Sequence, residues 1–134
     1  MSAIALFLSS AMPVHATEVS LTLAPGGFSV SAGTAGARLQ SRVAVERRDG
    51  DRWVAMPPLN LFLIAACQAA DPPPCLDLAP GAVLTPPPWT GRFCAAQCPA
   101  SCDAEGRASP GTYRIVVKSC SGAASATSRP FAWR

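Results

Sequence analysis

Fourteen prolines and ten glycines cut this chain of 134 residues into short runs, and most of those runs read as β-strand. Proline cannot donate to a hydrogen-bond ladder, and glycine takes the positive φ angles that tight turns require. Val19, Leu21 and Leu23 alternate with polar residues until Pro25-Gly26-Gly27 interrupts them. Such period-two alternation marks a strand with one buried face. Phe28 and Val30 predict a short second strand before Gly33 and Gly36. Leu39 to Arg47 predicts a third, with Leu39, Val43 and Val45 on one face. Arg48-Asp49-Gly50-Asp51 is a hairpin signal, after which Trp53 and Ala55 return on the partner strand. Leu59 to Ala66 is apolar throughout and reads as a central strand covered on both faces, with a short buried helix as the competing reading. The pairs Leu76/Leu78 and Val83/Leu84 sit beside triple prolines at 72–74 and 86–88, so they are expected at an edge or in a loop. Thr112 to Lys118 is the clearest strand, with Tyr113, Ile115 and Val117 alternating against Arg114, Val116 and Lys118. Ser125 to Trp133 returns after the turn Cys120-Ser121-Gly122, and Pro130 marks an edge or a bulge near its end. Seven or eight short, evenly spaced strands imply an all-β chain: a single antiparallel immunoglobulin/fibronectin-III-like β-sandwich with disulfide-stapled loops.

The first sixteen residues read differently. Met1 to Ala16 has an apolar core and ends in Val14-His15-Ala16, which fits a signal-peptidase site. The expected organisation is therefore a cleaved signal peptide over 1–16 and one β-sandwich domain over 17–134. The signal lacks a basic residue before its apolar core. A buried N-terminal helix is the alternative, and Pro13 with the change to strand-like sequence at Thr17 argues against it. Spanning a bilayer takes about 20 apolar residues, more than any run here supplies, so no integral membrane segment is expected after cleavage. No cysteine follows the cleavage site at once, as a lipoprotein anchor would need. Export places the chain in the periplasm or outside the cell, where disulfides persist.

Charge and composition narrow the function classes. Eleven basic and eight acidic residues give a formal charge of +3 without clustering, and there is no basic stripe interleaved with aromatics, so no nucleic-acid partner is expected. The single histidine, His15, falls in the signal. A mature chain without histidine cannot carry Ser-His-Asp or Cys-His catalysis, or metal sites that need imidazole. Asp49-Gly50-Asp51 and Asp103-Ala104-Glu105 could coordinate calcium weakly, but no loop has a full EF-hand ligand set. No pair of acids is spaced to suggest a glycosidase. No catalytic residue, metal or cofactor is expected, and a carboxylate-based hydrolase is the one remaining enzymatic form.

Cys67, Cys75, Cys94, Cys98, Cys102 and Cys120 are the disulfide candidates. Six cysteines allow fifteen complete pairings, and sequence alone does not choose. Locality favours Cys67 with Cys75, and one of the cluster Cys94, Cys98 and Cys102 with Cys120. Each bond would contribute about 2–4 kcal/mol. The competing uses are four thiolates on zinc and redox work; C-x-x-C is absent, and oxidising surroundings weigh against zinc. Of Trp53, Trp89 and Trp133, Trp89 draws the eye because prolines and a glycine flank it in an expected loop. Trp89, Arg92, Phe93 and Gln97 are the candidate binding-loop residues.

The segments Leu78-Ala79-Pro80-Gly81, Trp89-Thr90-Gly91, Pro110-Gly111-Thr112-Tyr113-Arg114-Ile115-Val116-Val117 and Ser128-Arg129-Pro130-Phe131 together resemble the BsuPI-type proteinase inhibitor family. Over residues 78–131 they are also similar to uncharacterised exported, cysteine-containing proteins of myxobacterial type. The resemblance implies a bacterial immunoglobulin-like sandwich. The inhibitor family is typically intracellular and does not rely on disulfides, so its activity does not transfer with the fold. The expected function is an exported, non-enzymatic binding module that recognises a protein or surface ligand through the loop Trp89–Ser109, helped by the Cys67–Cys75 loop. A secreted or periplasmic proteinase inhibitor is the alternative.

Overall fold

A computed structural model describes residues 19–24, 27–56, 61–64, 73–91 and 107–134. The expected signal peptide, Cys67 and the cluster from Arg92 to Cys102 lie outside the described residues. Within them the chain is all-β and antiparallel, with no helix. The strands are β1 (Val19–Ala24), β2 (Gly27–Ala32), β3 (Ala37–Gln40), β4 (Ala44–Asp49), β5 (Arg52–Ala55), β6 (Cys75–Leu78), β7 (Val83–Leu84), β8 (Gly111–Lys118), β9 (Ala124–Thr127) and β10 (Phe131–Trp133). They form a sheet in the order β1-β2-β7, a second in the order β10-β8-β4-β5 with β9 also on β8, and the pair β3-β6. These sheets share one hydrophobic core, an arrangement consistent with a β-sandwich.

Alternation builds that core. Phe28 and Val30 of β2, Val45 of β4, and Tyr113, Ile115 and Val117 of β8 are all buried on inward faces. β8 is paired on both sides, by β4 and by β9 and β10, so Val116 on its other face is buried as well. The β4–β5 turn forms where the sequence places it. Asp49 opposes Arg52, Gly50 has a φ of 60°, and the Arg48 Nε–H donates to the Gly50 carbonyl at 3.1 Å.

Three segments depart from the sequence reading. Leu39 to Arg47 is two strands: β3 pairs with β6 and β4 with β8, so Ser41–Val43 carries the chain from one sheet to another. Leu39, Val43 and Val45 are buried as expected, but Leu39 lies on β3, Val43 in the crossing and Val45 on β4. Of the run Leu59 to Ala66, residues 59–60 and 65–66 lie outside the described residues, and the described residues 61–64 are core without belonging to a strand. Leu61 and Leu63 are buried, yet only an isolated bridge from Phe62 to Arg42 pairs them. Their backbone is satisfied by the crossing instead, with Leu63 N–H donating to Ser41 O at 2.8 Å and Val43 N–H to Leu61 O at 2.9 Å. Finally, Ser125 to Trp133 splits into β9 and β10. Between their registers on β8, Ser128-Arg129-Pro130 face only Arg114 and Ile115, a one-residue bulge. Ser128 spans the gap: its Oγ accepts from Ile115 N–H at 2.8 Å, and its own N–H donates to Ile115 O at 2.8 Å.

Cys75 is bonded to Cys120, with 5.7 Å between their Cα atoms. This corrects both local pairings: Cys75 does not pair with Cys67, and Cys120 does not reach the 94–102 cluster. The reason is topological. β3 lies between the two cysteines, with Gln40 opposite Cys75 on one side. On its other side Cys120 N–H donates to Arg38 O at 3.0 Å, and Leu39 bridges to Ser119. The bond therefore straps β6 to the turn after β8 across β3.

Candidate loop-display site

The expected binding segment emerges from one end of the main sheet, and its two stems are held together. Trp89-Thr90-Gly91 forms one stem and Ala108-Ser109-Pro110 the other. Ala108 N–H donates to Gly91 O at 2.6 Å, joining them. Two further bonds fix the second stem to the sheet: the Tyr113 hydroxyl donates to Ser109 O at 2.6 Å, and an Arg47 Nη–H reaches Pro110 O at 3.4 Å. Gly91 has a φ of 72°, and the Trp133 indole lies where a Cβ would be. Only glycine meets both conditions here.

Beneath the stems is an aromatic platform. Trp89 is 8% exposed and packs with its ring centroid 4.5 Å from that of Trp133, 5.3 Å from Tyr113 and 5.9 Å from Phe131. The Tyr113 and Phe131 contacts are edge-on, a geometry aromatic rings favour. Trp89 is thus a foundation of the loop and not part of its presented surface. Exposing so large an apolar side chain would forfeit its burial, and three rings are at hand to cover it. Of the other candidate loop residues, Arg92, Phe93 and Gln97 lie outside the described residues, as do Cys67, Cys94, Cys98 and Cys102.

The remaining sequence candidates are scattered. Asp49 and Asp51 are exposed at the β4–β5 turn, on a different part of the chain from the stems, and Asp103 and Glu105 lie outside the described residues. Among the described residues, no three His, Cys, Asp or Glu side chains gather as a metal site would need. Cys120 spends its sulfur on Cys75, so a four-thiolate set that includes it cannot form. Trp53 sits on the outer face of the main sheet. Arg114 lies over its ring at 4.3 Å and Arg48 at 6.0 Å, while Arg114 also pairs with Glu46 at 2.7 Å. That pair is partly exposed and contributes at most about 1 kcal/mol. Sequence reasoning missed Tyr113, Gly91 and Ser128 as anchors of this end. Gly91 and Ser128 make their contacts with distant segments, Trp133 and Ile115, whose approach depends on topology, whereas Tyr113 bonds Ser109 only four residues away, and the Pro110-Gly111-Thr112-Tyr113 run hinted at that anchor. No protein-family model, curated protein or solved structure matches this chain.

Proposed function

We propose that this chain is an extracytoplasmic, non-catalytic binding module of immunoglobulin/fibronectin-III-like type that presents residues 92–106 to a protein or surface ligand. The observation that carries this reading is the closed base of the loop: the Ala108–Gly91 hydrogen bond set on the buried Trp89 platform. A rigid scaffold that fixes both ends of a variable segment is a common basis for recognition, because less ordering is left to be done on binding. The orders β1-β2-β7 and β10-β8-β4-β5 support the immunoglobulin/fibronectin-III-like assignment. The Cys75–Cys120 bond supports an oxidising compartment.

The same closed base suits an inhibitor whose loop enters a protease cleft. One experiment addresses both readings. The native chain and a variant with 92–106 replaced by a Gly/Ser linker of equal length are immobilised, after both are shown to be folded, and exposed to the host's extracytoplasmic proteins. In parallel they are titrated against subtilisin-like and papain-like proteases. Partners held by the native chain and lost by the variant are the expected result. Saturable inhibition at micromolar protein, absent in the variant, assigns the loop to a protease instead. Identical partners for both chains overturn the loop reading.

A further inference from the structure

The Cys75–Cys120 bond constrains cysteines that it does not contain. The chain has six cysteines, and this bond leaves Cys67, Cys94, Cys98 and Cys102. In an oxidising compartment an even set of cysteines ordinarily pairs in full. Four cysteines can do so in three ways. Cys94, Cys98 and Cys102 are an odd number, so they cannot satisfy one another, and each of the three ways takes one of them out to Cys67. The local bond between Cys67 and Cys75, which would have released the cluster from Cys67, is ruled out once Cys75 is spent on Cys120.

We infer that Cys67 is bonded to one of Cys94, Cys98 and Cys102, and that the other two are bonded to each other, so that the recognition loop is covalently joined to the chain between Ile64 and Pro73. This rests on the extracytoplasmic reading, which supplies the oxidant. Each bond forms as two thiols give two protons and two electrons to a disulfide-exchanging oxidant, whose own disulfide becomes two thiols. The span is within reach. Leu63 N–H donates to Ser41 O near the Lys118 end of β8, where Ala44 opposes Val116 and Leu39 bridges to Ser119. Gly91 lies against Trp133, which opposes Gly111 at the other end. The eight residues of β8 run about 23 Å. Cys67 stands three residues past Ile64, and Cys98 seven past Gly91. Fully extended, these tethers reach about 10 Å and about 24 Å, so the bond needs no rearrangement of the sheets. The loop then has a third attachment besides its two stems, which leaves less freedom to be lost on binding.

The test is a peptide map of the monomeric full chain, purified without reductant from the exporting host. Free thiols are blocked with N-ethylmaleimide in denaturant, and the chain is cut with trypsin and a protease that cleaves before aspartate. Cys67 then falls in peptide 53–70, Cys75 in 71–76, the cluster in 93–102 and Cys120 in 119–134. Mass spectrometry is expected to find 53–70 joined to 93–102 and 71–76 joined to 119–134, without maleimide, each pair separating on reduction. In Cys67→Ala, a single maleimide should appear on 93–102 while 71–76 stays joined to 119–134. A species joining 53–70 to 71–76, or 93–102 to 119–134, overturns the inference. So does maleimide on Cys67 of the native chain, or a Cys67→Ala chain with none on 93–102. Maleimide on all six cysteines overturns the extracytoplasmic reading as well, whereas a Cys67 bonded to another partner overturns this inference alone.

Discussion

Replacing both bonded cysteines, Cys75→Ala with Cys120→Ala, removes the strap across β3 without leaving a new thiol. The bond closes a sequence separation of 45 residues. For a loop of that length the chain-entropy relation gives about 4 kcal/mol at 25 °C. That is a large share of the 5–15 kcal/mol typical of a whole domain. The loss belongs chiefly to the unfolded chain, because the native contact has other fastenings: Cys120 N–H to Arg38 O, and the Leu39–Ser119 bridge. The variant should therefore fold to the same structure while unfolding at much lower denaturant. Urea denaturation without reductant, followed by tryptophan fluorescence, measures this through the buried Trp89. The expected result is a loss of ~3–4 kcal/mol, with a steeper denaturant dependence as the released chain expands further. A loss under ~1 kcal/mol with an unchanged slope would refute the reasoning and place the strap outside the cooperative fold. Cys75→Ser alone should lose at least as much, since it leaves the Cys120 thiol to exchange with the remaining cysteines.

Two further substitutions probe the loop-bearing end. Gly91→Ala introduces a Cβ at positive φ and against the Trp133 indole, and is expected to cost about 2–3 kcal/mol in the same assay. In a Trp133→Ala background only the backbone share of about 1–2 kcal/mol should remain, a coupling that a double-mutant cycle reads directly. Ser128→Ala leaves the Ile115 N–H buried without its acceptor and is expected to cost about 1–3 kcal/mol. Faster amide exchange at Ile115 than at Val117 would locate the damage at the bulge.

Features determined by near neighbours were legible in the sequence. Tyr113, Ile115 and Val117 announced an inward face, and Asp49-Gly50 announced a turn, because alternation and positive φ act within a few residues. Pro130 announced the break in the last strand, although not the role of Ser128 in mending it. Features determined by the meeting of distant segments were not legible. Nothing at Ser41–Val43 marks a change of sheet; no glycine or proline stands there. The apolar run at 61–64 showed that it would be buried, but hydrophobicity does not distinguish a laddered strand from a segment bonded to a crossing. Cys75 lay near Cys67 along the chain, yet the fold brings Cys120 to it across β3. At the loop-bearing end, the turn residues of the stems could be read, whereas the burial of Trp89 required Phe131 and Trp133 to arrive from β10.

The pairing of β4 with β8 also sets an order of events. Ala44 must find Val116, and Val45 must find Ile115, with most of the second half of the chain between them. Contacts so remote form late, because the intervening chain must be gathered before the ladder rewards it. Cys120 follows β8 directly, so it can meet Cys75 in the native way only once β8 has docked. Until then Cys67, separated from Cys75 by seven intervening residues in an easily closed loop, is the faster partner. Sheet completion and the selection of the native disulfide are thus one step. An oxidant acting before that step traps Cys75 in this short loop, and recovery depends on thiol exchange.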